Sequence, residues 1–455
     1  MTFLVYIFSF LVLISIIVFI HELGHFSFAR LFGVRVLDFS IGFGRSIKSW
    51  ETKSKTIFNL RLLPFGGYVK MNGEEISEKS PSSDSYSSKK YYQKLLITLG
   101  GPIFNFILAI WIFFIINLFG TYKAIPIVGD VLLNSTANEK GIEKGDLITK
   151  IDNAEISSFS DAQLALSKRL GESGYLEIQI LRDENFYDFY LPINNWLSTK
   201  EPSNLLYELG IFPPLKPVIG SVSKASPAEV GGMEPGDKIL EIEDKSILYW
   251  GDIRQEINKS SGNEISGKIL RENRSNTILI KPNLSENTFN WQIGISSSFE
   301  LSDNARVLEK FSVVDSLKNS ILQTYNVIEN SIFFIGKIIL GQVSAKNLGG
   351  PVMIGQYAGE SVIYGGLYSF FYLIALISIS LGIVNLFPLP VLDGGQALIL
   401  TIEKIIGREL PDKMLNFFYR LGTAFLIFLF VFVFFNDIFR ILGWEINDSF
   451  IIHKY

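Results

Sequence analysis

Apolar positions along the 455 residues gather into four long blocks separated by mixed and polar chain. The blocks run from about Phe3 to Ile20, Leu95 to Gly120, Gly366 to Leu386 and Leu421 to Leu442. Each is close to the roughly 20 residues that carry an α-helix across a hydrocarbon core. Only helices and closed barrels satisfy their own backbone in lipid, so the pattern predicts four transmembrane helices. No Lys or Arg precedes the first block and no small-residue cleavage site follows it, so it reads as a signal anchor.

Between the second and third blocks the pattern repeats itself. Ser135-Thr-Ala-Asn-Glu-Lys-Gly-Ile-Glu-Lys-Gly-Asp-Leu-Ile-Thr-Lys-Ile-Asp152 is echoed by Ser226-Pro-Ala-Glu-Val-Gly-Gly-Met-Glu-Pro-Gly-Asp-Lys-Ile-Leu-Glu-Ile-Glu243. In both, a short helical turn leads into Gly-(Ile/Met)-Glu-x-Gly-Asp-x-Ile-x-x-Ile and an alternating strand. Such self-similarity marks a duplicated module. The shared signature resembles that of PDZ domains in bacterial proteases, once from about Tyr122 to Asn195 and again from about Pro217 to Asn283. From Phe311 to Leu340 apolar residues recur at helical spacing, which suits a helix packed on a PDZ core as well as one lying along a membrane surface. Phe58–Met71 alternates and then meets Gly66-Gly67, the pattern of a hairpin turning there. The Ser-rich stretch Ser77–Ser88 predicts a flexible loop.

Charge orients these elements. Residues 30–94 hold twelve Lys/Arg against six Asp/Glu, and nothing basic precedes the first block. The positive-inside rule then places that loop in the cytoplasm and the N-terminus outside. Lys404, Arg408 and Lys413 between the third and fourth blocks agree. The interval Lys123–Glu300 is acidic, with 18 basic and 26 acidic side chains, which fits an exported face. Overall the chain is apolar (48% hydrophobic) with a net charge of −4, so nucleic acid is not an expected partner. It contains no Cys, which excludes disulfides and thiolate metal sites, and its three histidines are His21, His25 and His453.

Two of those histidines stand together in His21-Glu22-Leu23-Gly24-His25, at the end of the first apolar block. Residues four apart share one helix face, so both imidazoles can converge on one Zn²⁺ while the adjacent Glu holds the attacking water. Ionisable groups at such a depth are costly, which makes function the default explanation. A catalytic zinc needs a third protein ligand and an open position. His453 lies beyond the last span, so a carboxylate near the membrane is expected. Asp393 in Asn385-Leu-Phe-Pro-Leu-Pro-Val-Leu-Asp-Gly-Gly395 offers one, where prolines break the third helix. Asp437 in the fourth block is the competing carboxylate, but it lacks such a backbone interruption and lies on the outward side in this topology.

An intramembrane His-Glu-x-x-His paired with Asn-x-x-Pro-x-Pro-x-x-Asp-Gly-Gly is similar to the signature of the site-2 protease family. With two PDZ modules between the second and third helices, the chain resembles its RseP-like branch over nearly its whole length. The resemblance implies a polytopic α-helical membrane protein with four transmembrane helices and two inserted extracytoplasmic PDZ (α+β) domains. It implies Zn²⁺ on His21, His25 and Asp393, Glu22 as general base, and Asn385 holding substrate backbone or the oxyanion. Gly100-Gly-Pro-Ile-Phe-Asn105 looks like the family element beside the active site. Phe58–Met71 would be a membrane-associated edge strand for an unwound substrate, and Asn347–Gly355 a loop governing access. Implied partners are single-span membrane proteins (an anti-sigma factor or remnant signal peptides), the lipid bilayer and PDZ ligand peptides, at a bacterial inner membrane.

The organisation expected is transmembrane helix one over 1–30, a cytoplasmic loop with hairpin over 31–94, helix two over 95–120 and PDZ modules over 121–195 and 196–300. A helical region over 301–365, helix three over 366–387, an active-site segment over 388–417, helix four over 418–442 and a tail over 443–455 complete it. A metal transporter would need histidines spread over several spans. A non-proteolytic PDZ scaffold would have no use for Glu22.

Overall fold

The computed structural model describes residues 2–74, 82–198, 204–285, 290–298 and 300–442. His453 and part of the Ser-rich stretch lie outside them. Helix α1 (Thr2–Leu31) carries the first apolar block and runs unbroken through the His-Glu-Leu-Gly-His segment. Strands β1 (Val36–Glu51) and β2 (Ile57–Met71) follow, then α2 (Tyr91–Thr98) and α3 (Gly100–Phe119). The second apolar block is thus two helices that part at Leu99 rather than one.

The β1–β2 reversal falls at residues 52–56, where Thr52 N donates to Thr56 O at 3.0 Å, and not at Gly66-Gly67. Gly66, at φ 113°, is a bend within β2. Its purpose lies in the register. Asp38–Ile41 pair with Ile57–Leu60 on one flank and with Gly67–Lys70 on the other. A strand that leaves one flank of its partner and returns on the other needs positive φ at the bend, which costs glycine little. A polar network fixes the curl: Arg61 donates to Ser40 Oγ (2.6 Å), Gly44 O (3.0 Å) and Tyr68 Oη (2.7 Å). Asn59 and Tyr68 donate to the Asp38 carboxylate at 2.8 and 3.1 Å.

After the short β3 (Thr121–Ala124) come two modules of one topology. The first comprises β4 (Asp130–Val131), α4 (Thr136–Lys140), β5 (Leu147–Ile151), β6 (Ala154–Glu155), α5 (Phe159–Ser167), β7 (Gly174–Arg182), β8 (Asn185–Ile193), α6 (Leu205–Glu208) and β9 (Ile211–Phe212). The second comprises β10 (Ile219–Val222), α7 (Pro227–Val230), β11 (Lys238–Ile242), β12 (Lys245–Ser246), α8 (Trp250–Lys259), β13 (Ile265–Arg271), β14 (Arg274–Ile280), β15 (Asn283–Leu284), β16 (Trp291–Gln292) and β17 (Ile295–Ser297). Their sheets share the order β6-β5-β7-β8 and β12-β11-β13-β14, and the closing strands β9 and β17 return to pair with β4 and β10. Each module therefore reaches past the Asn195 and Asn283 at which the repeat pattern ends, because closing strands of two and three residues carry no periodic signal. β18 (Arg306–Glu309) then pairs with β3 and closes the ends of the insertion.

The repeated Gly-Asp has a structural cause. Buried Asp146 takes two bonds from the Arg182 guanidinium (2.6 and 2.7 Å) and one from Glu143 N (2.8 Å). Asp237 does the same with Arg271 (2.7 and 2.7 Å) and Glu234 N (2.9 Å). Ser135 and Ser226 cap α4 and α7 by accepting from the backbone three residues on, the arrangement that satisfies a helix's free N–H groups. Alternate residues Leu176, Ile178 and Ile180 of β7 are fully buried, as a half-buried strand requires.

Helix α9 (Val313–Ile339) has an inverted pattern. Ser316, Ser320 and Thr324 are buried, whereas Val314, Leu317, Ile321, Leu322 and Tyr325 are exposed. Up to Gly336 it belongs to the compact unit that also contains residues 2–120 and 346–442, and not to the unit of the two modules. α10 (Pro351–Asn385) starts well before the third apolar block and turns at Gly366, φ 64°. α11 (Asp393–Ile406) and α12 (Asp412–Leu442) complete the chain. In this unit α1, α3 and α10 pack through Leu13, Ile17, Ala109, Phe113, Ile374 and Ile379. Four segments among the described residues are long and apolar enough to cross a membrane: Leu4–Leu31, Gly100–Phe119, Gly365–Asn385 and Asp412–Arg440.

Candidate metal centre

α1 presents His21 and His25 one turn apart on the same face, and α11 begins at Asp393 opposite them. His25 Nε2 lies 3.3 Å from His21 Nε2, and Asp393 Oδ2 lies 3.4 Å from the first histidine and 3.6 Å from the second. Donors about 2.0–2.1 Å from a tetrahedral zinc stand about 3.3–3.4 Å from one another. Two edges of the triangle found here have that length and the third is about 0.2 Å longer than its upper value. Asp393 Oδ2 is buried and accepts no hydrogen bond among the described residues, an orphaned anion that a cation would satisfy. Two imidazoles and one carboxylate form the donor set of catalytic zinc, with a fourth position left open. The residues fit the metal.

The triangle depends on close backbone approach. A Cβ on Gly101 of α3 would overlap the rings of His21 and His25, and one on Gly24 would overlap Gly100 O. Gly394 and Gly395 let the first turn of α11 fold back onto the Leu386 and Leu389 carbonyls. These carbonyls belong to the irregular Leu386–Leu392 stretch, where prolines stop α10 and aim Asp393 back at α1. His25 Nδ1 donates to Ile97 O at 2.9 Å, a partner supplied by α2 just before the Leu99 break. That bond leaves Nε2 free to ligate.

The remaining expected residues gather around the same point. Asn385, the last residue of α10, puts its amide nitrogen 3.4 Å from His21 Nε2. Glu22 is buried, and β2 passes over it with Gly67, where a Cβ would come within 2.8 Å of Glu22 Cγ. Asn105 of α3 stands 3.3 Å from His21 Nδ1. Its contact, the Ile97 carbonyl and Gly101 carry no signal in the sequence beyond the Gly100–Asn105 element.

Asp437 has another task. Its carboxylate accepts from the backbone N–H of Gly350, Val352 and Met353, each at 3.0 Å, so it caps the N-terminus of α10. Asn436 donates to Lys346 O at 2.7 Å beside it. Segment 347–355, expected as a loop, is therefore helical from Pro351 and fastened to α12.

The family model of Peptidase family M50 matches residues 9–429. Regulator of sigma E protease of Haemophilus influenzae is 34% identical over 441 residues, which cover 95% of this chain and 98% of that one. The same shares hold for putative zinc metalloprotease PM1991 of Pasteurella multocida at 32% identity and for regulator of sigma-E protease RseP of Escherichia coli K12 at 31%. A solved PDZ domain of the SdrC-like protein from Listeria monocytogenes is 20% identical over 18% of this chain, with a TM-score of 0.17. The molecule is thus a multi-pass membrane protein that works as a zinc metalloprotease within the bilayer. It belongs to Peptidase family M50, the site-2 proteases.

Proposed function

We propose that this protease cleaves the transmembrane segments of single-span membrane proteins whose exported part has already been trimmed. The observation that carries the proposal is the triangle of His21 Nε2, His25 Nε2 and Asp393 Oδ2 at membrane depth, with Glu22 adjoining it. His21, His25 and Asp393 would hold zinc, which when bound lowers the pKa of water and polarises the scissile carbonyl. Glu22 takes the proton of the attacking water and passes it to the leaving amine. Asn385 directs its amide N–H at the oxyanion or the substrate backbone.

A helix hides its carbonyls, so a substrate must be extended before water can reach one. Among the described residues the Gly67–Val69 segment has one strand neighbour, β1, and it adjoins Glu22 through Gly67. Addition of the unwound substrate alongside Gly67–Val69 would replace the helical hydrogen bonds at the point of cleavage. The exposed apolar residues Ile47, Trp50 and Leu62, interspersed with Arg45, Lys48 and Lys53, suit a hairpin lying at the membrane interface. α9, with its outward apolar face, suits the same setting.

The charge distribution supports a topology with the N-terminus and residues 121–365 outside the bacterial inner membrane and the catalytic loops near the cytoplasmic face. The PDZ pair then excludes bulky ectodomains. β9 and β17, each with one strand neighbour among the described residues, keep peptide capture open to them as a second role. The relatives' names point to control of a sigma factor, so an anti-sigma protein is the substrate class we favour, with remnant signal peptides beside it.

The test is incubation of purified protein with a fluorescent single-span substrate, with and without a zinc chelator, alongside Glu22→Gln. Chelation and Glu22→Gln should each abolish cleavage, and the variant should keep its zinc. Wild-type cleavage by Glu22→Gln would refute the role of that carboxylate.

A further inference from the structure

Asn105 is fully buried in α3, and its side chain faces the imidazole nitrogen of His21 that points away from Asp393. The geometry points to Asn105 as the positioning residue that fixes the tautomer of His21, an inference resting on the zinc site proposed above. His21 turns Nε2 toward Asp393 and His25. A ligating Nε2 must carry a lone pair, so the ring proton sits on Nδ1, which becomes a donor. The amide nitrogen of Asn105 stands 3.3 Å from that nitrogen, which would set donor against donor. The oxygen of the same amide is buried without a partner among the described residues. Half a turn about the last side-chain torsion exchanges the two atoms, and amide orientation is assigned from partners in just this way. One amide atom is left unmatched in either orientation, so the tautomer decides: Oδ1 accepts from Nδ1–H of His21.

The two histidines are thereby held alike from behind, His25 by the Ile97 carbonyl and His21 by Asn105. Outer partners of this kind orient a ligand and raise its basicity. Asn105 is itself anchored, since Ser378 Oγ of α10 donates to its backbone carbonyl at 2.9 Å. The Gly-Pro-x-x-Asn element therefore does two jobs within one turn and a half of helix. Gly101 clears room for the rings, and Asn105 sets one of them.

Zinc affinity of the detergent-purified full chain, measured by competition with a chromophoric chelator, tests this without reference to cleavage. His21→Ala is the control for the site: if wild type binds no zinc, or His21→Ala binds it equally, the proposed centre fails and not this inference alone. Asn105→Leu keeps the volume and removes the acceptor, and should weaken zinc about 10- to 100-fold. Asn105→Asp restores an acceptor and should bind within a few-fold of wild type, a rescue that a packing role would not give because it buries a new charge. Asn105→Ala, which crowds nothing, should weaken zinc as Leu does, and circular dichroism of each apo-protein confirms that it is folded. Zinc affinity unchanged in Asn105→Leu and Asn105→Ala, or lost equally in Asn105→Asp, would overturn the assignment.

Discussion

A Cβ at Gly101 would fall where the His21 and His25 rings meet, and one at Gly67 would fall against Glu22. The chemistry of the site thus rests on residues that contribute no side chain. The identity of the third ligand is the sharper question here. Asp393 and Asp437 are both carboxylates near the membrane, and the prolines around the first and the outward placement of the second already favour Asp393 in the sequence. Asp437 spends both oxygens on the N-terminus of α10, whereas Asp393 Oδ2 accepts no hydrogen bond among the described residues and faces the two imidazoles. Metal analysis should find about one zinc per chain in wild type and in Asp437→Ala, and close to none in Asp393→Ala. Zinc kept by Asp393→Ala and lost by Asp437→Ala would reverse the assignment.

Among the elements, the duplicated modules show why a sequence repeat exists. Gly-Asp recurs because each aspartate closes a bidentate bond with the arginine at the end of the third sheet strand, Arg182 in one module and Arg271 in the other. Neutralising one partner of a buried pair leaves the other charge half-satisfied. With Arg271 partly exposed, Asp237→Asn should cost the second module about 2–3 kcal/mol. Amide exchange should then quicken from α7 to β14 and stay unchanged in the membrane helices; uniform exchange rates would show that the pair is dispensable. The β1–β2 element teaches the opposite lesson. Its alternation was legible, but its turn was misplaced, because Gly66 has the look of a reversal and serves as a bend between two flanks of one strand.

For the molecule as a whole, the orientation of the chain and the purpose of the two modules have direct tests. The chain has no native cysteine, so single substitutions report cleanly. Ser160→Cys should react with an impermeant thiol reagent in intact cells and Ser83→Cys should not; the reverse pattern inverts the topology. The β3–β18 pair permits a clean excision of both modules, from Pro126 to Asn304, that keeps the stem closed. If the modules exclude bulk, the excised enzyme should cut a substrate carrying a folded ectodomain that the intact enzyme ignores. If it leaves that substrate uncut and slows cleavage of the trimmed one, recruitment replaces exclusion.

Span hydrophobicity, the His-Glu-x-x-His spacing and the repeated Gly-Asp signature are local, each set by neighbours within a turn or a strand, so the chain order alone made them readable. Helix continuity was less so: the break at Leu99 and the early start of α10 depend on carbonyl and carboxylate partners far along the chain. The approach of Asn105 to His21 and the capping task of Asp437 were decided only by tertiary packing. Both turn on which buried polar atom finds a partner, and partners 84 and 87 residues distant, such as His21 for Asn105 and Gly350 for Asp437, leave no mark on local pattern.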